Sequence, residues 1–130
     1  MKSLVEINKL PDISFYPNGR IDITARLAKM LNLQCGDVID ISREGGEYYL
    51  HKRFQDFKPI GRHAACCYAT HRYKNTCNNL RVYYKPLTDH ILTLVGADVA
   101  RLAVGEPVSI NGILAVPIIY KRNINVTRHD

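Results

Sequence analysis

Apolar residues along this chain recur at two different periods, and the switches between them outline the elements. Residues 3–7 form a short apolar stretch closed by Asn8, Pro11 and Asp12, which predicts a first strand. Residues 13–16 predict a second extended piece, and Pro17, Asn18 and Gly19 after it are turn formers. Arg20, Ile21, Asp22 and Ile23 alternate polar with apolar, so a strand with Ile21 and Ile23 on one face is expected. The period then lengthens. Thr24 suits a helix N-cap, and Leu27, Met30 and Leu31 behind it share one helical face. Cys35, Gly36 and Asp37 end that helix after about two turns. Residues 38–41 and 47–51 read as a hairpin turning at Arg43, Glu44, Gly45 and Gly46.

The second half repeats this order. Asn79, Leu80, Arg81 and Val82 parallel Asn18, Gly19, Arg20 and Ile21 at an offset of 61. Ile91, Leu92, Thr93 and Leu94 continue the parallel against Met30, Leu31, Asn32 and Leu33. Gly105, Glu106, Pro107, Val108, Ser109 and Ile110 then match residues 36–41 at an offset of 69, which requires an eight-residue insertion near residues 95–102. Leu80 stands where the first turn has its glycine. Pro86 stands where the first helix has Ala25, and proline is favourable at a first helical position. Asn111 and Gly112 predict a hairpin turn, with residues 113–120 as the return strand. A duplicated module is therefore expected, divided as residues 1–53, a connecting segment 54–78, a second copy 79–122 and a tail 123–130.

Asn18-Gly19-Arg20-Ile21, then Leu27, Lys29 and Leu31, then Leu33, Gly36, Asp37, Val38 and Ile41, and finally Leu50 form an ordered set. Over residues 13–53 that set resembles the SpoVT/AbrB family of prokaryotic DNA-binding modules. Thr24 departs from the family pattern, which has proline after the second strand. The resemblance implies a mainly β fold with a minor α component: a swapped-hairpin barrel carrying short helices, built in that family from two chains. Two copies in one chain are expected to pair internally as a pseudo-dimer, because a module of ~45 residues leaves apolar strand faces uncovered. The resemblance also places Arg20 and Lys29 at basic positions of the family, Arg20 being one that contacts DNA. Arg81 is the second-copy counterpart of Arg20. Arg26 and Lys85 join the candidates from charge and placement alone.

Charge adds a second indication. The net charge of +6 and pI near 9.3 are moderate. Residues 51–85, however, hold eight Lys and Arg against one acid, Asp56, a local balance of +7. Lys58, Arg62, Arg72 and Lys74 lie in its centre, interleaved with Phe57, Tyr68 and Tyr73. Basic and aromatic residues in alternation suit phosphates and bases, so these four join the expected nucleic-acid contacts. Double-stranded DNA is the expected partner, with self-association or a protein partner also open.

The remaining chemistry is sparse. His63, Cys66, His71 and Cys77 are the set that would hold zinc, but Cys66 and Cys67 are adjacent and would face opposite sides of a strand. Buried free thiols beside Ala64, Ala65 and Ala69 explain them more simply, so no cofactor is expected. The sequence contains neither a phosphate-binding glycine loop nor a serine elbow, and its acids are scattered, which argues against an enzyme. Glu6 interrupts the apolar start of the chain, unlike a signal peptide, and no run approaches the ~20 apolar residues of a membrane span. The expected role is a cytoplasmic DNA-binding regulator or antitoxin. The alternative is a non-enzymatic assembly protein, phage-derived, using the same barrel for protein contacts.

Overall fold

The computed structural model describes residues 10–53, 65–70, 79–121 and 123–124. It is mainly β. The strands are β1 (Ile13–Phe15), β2 (Arg20–Ile23), β3 (Ile39–Glu44), β4 (Glu47–Lys52), β5 (Tyr68–Ala69), β6 (Leu80–Tyr83), β7 (Ala100–Val104), β8 (Val108–Ile110) and β9 (Ile113–Ile119). Helix α1 (Ala25–Met30) follows β2, and α2 (Lys85–Val95) follows β6. The strand expected at residues 3–7 lies outside the described residues.

Local chemistry accounts for the first half. Gly19 has φ +97°, a left-handed value, and a Cβ there would sit 3.2 Å from the Lys85 backbone nitrogen. Glycine thus serves both the turn and the close approach of α2. Thr24 caps α1 as expected, the Leu27 N–H donating to its Oγ1 at 3.2 Å. Period two then sends Ile13, Phe15, Ile21 and Ile23 inward, where each is at most 1% exposed.

A single antiparallel sheet runs β3-β4-β9-β7-β1-β2-β6-β5, with β8 added on β9. The sheet curls strongly, and its ends meet. Ile39 N–H donates to the Ala65 carbonyl at 3.0 Å, and Cys67 N–H donates to the Asp37 carbonyl at 2.8 Å. Inside this barrel-like sheet Phe15, Leu27, Leu50, Leu102 and Val116 are fully buried. Each contributes about 1.5–3 kcal/mol by leaving water.

The registers relate the two halves by an approximate two-fold axis. In the β2–β6 pair Arg20 lies opposite Tyr83, Asp22 opposite Arg81, and Ile21 opposite Val82. With residue i matched to i+61, this pattern maps onto itself, and the axis passes through Ile21 and Val82. In the β4–β9 pair Leu50 faces Val116, flanked by Tyr49 with Pro117 and His51 with Ala115. That pattern is self-matching at an offset of 66, which also superposes the Gly45-Gly46 and Asn111-Gly112 turns, all four residues at positive φ. The strands are exchanged between halves. Ser14 of β1 pairs with Arg101 of β7, while Cys66 pairs with Val38 just before β3.

Four sequence expectations change. The exchanged pairs match Val38 with Arg101, an offset of 63, so the offset of 69 and the eight-residue insertion both fall away. The stretch read as inserted contains β7, a core strand. The second half instead lengthens its helix, eleven residues in α2 against six in α1, and shortens the link that follows. Leu80 is not a turn residue: it is 4% exposed in β6 and paired with Ile23. Residues 65–69 belong to the sheet and not to a connecting segment. Arg43 and Glu44 lie in β3, leaving Gly45 and Gly46 as the turn.

Candidate nucleic-acid interface

The two-fold places Arg20 and Arg81 side by side on the outer face of the sheet. Residues 20, 22, 81 and 83 point outward because 21, 23, 80 and 82 fill the core. One cross-strand row runs Arg101, Ser14, Asp22, Arg81 and Tyr68. Arg20 and Tyr83 face each other in the row beside it.

Asp22 sits between the two arginines. Arg20 Nη2 lies 2.6 Å from its Oδ2, and Arg81 Nε lies 2.7 Å from its Oδ1. Partial burial opposes the charge on Asp22, but the hydrogen bonds from Arg20 and Arg81 outweigh it, so its carboxyl is held below the usual range. The same bonds raise both guanidinium pKa values. One carboxylate therefore orders two cations and leaves them with a net positive charge. The flanks are aromatic. Arg20 stacks over the Tyr16 ring at 4.6 Å and Arg101 lies 5.9 Å from it. On the other side Tyr68 and Tyr83 stack at 6.2 Å with 21° between planes.

The other expected cations are placed differently. Arg26 pairs with Asp12 at 2.6 Å. Asp12 is 4% exposed and its other oxygen accepts the Val104 N–H at 3.1 Å, so this ion pair ties the approach to β1 onto β7. Lys29 is exposed on the last turn of α1. Lys85 Nζ bonds Asp89 at 3.0 Å and the Pro17 carbonyl at 3.5 Å, joining the first turn of α2 to the β1–β2 turn. Lys58, Arg62, Arg72 and Lys74 lie outside the described residues. Of the expected set, the structure brings together Arg20 and Arg81.

Sequence reasoning missed Asp22 and Arg101. Asp22 shares a strand face with Arg20 by period two, a signal present in Arg-Ile-Asp-Ile. Arg101 was hidden by the misplaced insertion.

Of the zinc candidates, Cys66 is exposed, with its thiol directed at the Gly36 carbonyl at 3.6 Å. His63, His71 and Cys77 lie outside the described residues, and among the described residues no cluster of ligating side chains forms. Cys66 and Cys67 do face opposite sides. Cys67 is buried, and burial pushes its thiol up to about 12, which leaves it an unreactive core residue. Among the described residues no helix is long and apolar enough to cross a membrane.

No family model matches the chain, and neither a curated protein nor a solved structure is similar to it.

Proposed function

We propose that this chain is a cytoplasmic, non-enzymatic nucleic-acid-binding protein, a DNA-binding regulator or antitoxin built from two fused SpoVT/AbrB-like modules. The contact surface is the outer face of β7-β1-β2-β6-β5, centred on Arg20, Asp22 and Arg81. The observation that carries this reading is the pairing of Arg20 with Arg81 about the Ile21–Val82 axis. Two guanidinium groups held side by side on one carboxylate present adjacent donors to the phosphates of one stretch of backbone. Asp22 fixes their geometry before any ligand arrives, which lowers the ordering cost of binding. Anisotropy with a labelled random duplex at two salt concentrations tests it. Wild type binds with a steep salt dependence, and an Arg20→Ala, Arg81→Ala double variant binds more weakly with a shallower slope. Equal affinity of the two proteins refutes the site.

A second reading, an assembly protein, draws on Val108, Leu114 and Ile119, which expose 39%, 46% and 39% of their surface on β8 and β9. Failure to bind any nucleic acid, with self-association in sedimentation, favours that reading.

A further inference from the structure

The outer face is not the same on both sides of its axis. In the first half Tyr16 is covered by the guanidinium groups of Arg20 and Arg101. Its pairing counterpart in the second half is Tyr68, which stands opposite Arg81. There the position equivalent to Asp22 is Tyr83, and the ring of Tyr83 lies against Tyr68 with only 21° between planes. Both rings remain open to solvent, at 42% and 50%. One flank of the arginine pair is thus polar and charged, and the other is a flat aromatic surface.

A base pair inside a duplex offers its edges, because its faces are already stacked on its neighbours. An exposed ring pair beside guanidinium groups gains most from a base whose face is free. Charge agrees with this occupant: Arg20, Arg81 and Arg101 against Asp22 leave a cationic track next to the rings, suited to the phosphates on either side of a stacked base.

Building on the nucleic-acid reading above, we propose that Tyr68 and Tyr83 form a base-stacking platform that takes an unpaired nucleotide, making single-stranded nucleic acid, or the single-stranded part of a partly duplex site, the preferred ligand. The face then binds with one polarity. Arg20 and Arg81 hold backbone, and the strand continues only toward the tyrosines.

The test uses the full chain and three labelled probes: a short oligo-dT, an oligo-U of equal length and a blunt random duplex. The single strands should bind more tightly than the duplex, and Tyr83→Leu should reduce single-strand affinity by about 5- to 100-fold per lost stack while leaving duplex affinity in place. Tyr68→Leu should act in the same direction. Circular dichroism and the thermal midpoint check that each variant is folded, as expected for exposed rings. A 2-aminopurine placed in the oligo-dT gives a direct signature, since its emission is quenched on stacking and should recover in Tyr83→Leu. If Tyr83→Leu keeps the single-strand margin, or the duplex binds as tightly as the single strands, the platform is wrong while the arginine site stands. If neither probe class binds, or the Arg20→Ala, Arg81→Ala variant binds like wild type, the underlying reading falls as well. Preference between oligo-dT and oligo-U reports whether the sugar or the thymine methyl is read; both exceeding the duplex supports the platform.

Discussion

Asp22→Asn removes one negative charge from between Arg20 and Arg81 while keeping the side chain's shape. Its two effects have opposite signs. Stability should fall, because the carboxylate now accepts from Arg20 at 2.6 Å and from Arg81 at 2.7 Å, and an amide keeps at most part of this. The three side chains are about a third exposed, 34%, 28% and 29%, so solvent screens the pairs. A loss of about 1 kcal/mol is reasonable for two such contacts, equivalent to a midpoint lower by about 4 °C in a chain of this size. Nucleic-acid affinity should rise, because two cations no longer share an internal anion. If the freed charge neutralises one further phosphate, the slope of log affinity against log salt steepens by about 0.9, which is about fourfold at 0.2 M and about 15-fold at 0.05 M relative to a common value at 1 M. Differential scanning fluorimetry and a salt series in fluorescence anisotropy read the two effects separately. A variant that loses stability but shows no gain in affinity and no change in slope would refute the claim that Arg20 and Arg81 meet phosphate. The pH dependence follows from the depressed Asp22 pKa. Its ion pairs contribute fully above the unfolded value of about 4 and are lost as pH falls through the lower folded value, so the midpoint difference between wild type and Asp22→Asn should close below about pH 4.

Further outcomes follow from the core and its ties. Leu50→Ala empties a fully buried position on the two-fold axis opposite Val116 and should cost about 2–5 kcal/mol in urea unfolding; a cost under 1 kcal/mol would mean the β4–β9 contact is not central. Asp12→Ala leaves the Val104 N–H without its acceptor and Arg26 without its anion, and should destabilise by roughly 2–3 kcal/mol with no change in the salt slope of binding. An altered slope would return Arg26 to the binding surface. In the native protein at pH 8, Cys67 should resist a thiol reagent that modifies Cys35 and Cys66, as peptide mass mapping would register, because its thiol titrates near 12 and is buried. Rapid native labelling of Cys67 would contradict its burial.

What the sequence made legible was local. The Pro17-Asn18-Gly19 turn, the Thr24 cap and the β2 alternation each depend on neighbours within a few residues, and each is present as read; the second hairpin is also present, its turn narrowed to Gly45 and Gly46. Correspondence between the halves was half legible. The offset of 61 came from a four-residue match that ends on the axis at Ile21 and Val82, whereas the offset of 69 followed the likeness of Gly105-Glu106 to Gly36-Asp37 and was wrong. In the structure Gly105 directly follows β7, its amide donates to the Pro117 carbonyl at 2.8 Å, and a Cβ would meet the Pro117 ring at 2.8 Å. That requirement for glycine comes from a residue twelve positions away, so no local pattern reveals it. The candidate site divided in the same manner. Charge and repeat position marked Arg20 and Arg81, but nothing short of the β2–β6 register brings both onto Asp22.

Exchange of strands between the halves also bears on how the chain is made. Phe15 pairs with Ala100, 85 residues later in the sequence, and β4 completes its ladder only when β9 exists. At typical synthesis rates of about 5–20 residues per second, β1 waits roughly 4–17 s for the strand that covers its open edge. During that interval neither half can finish on its own, and Ile13, Phe15 and Leu50 remain without their covers. Such long-range pairing slows folding and leaves sticky edges exposed to neighbours on the same message. The nascent first half is therefore the stage at which this protein is most open to capture by chaperones and most vulnerable to aggregation.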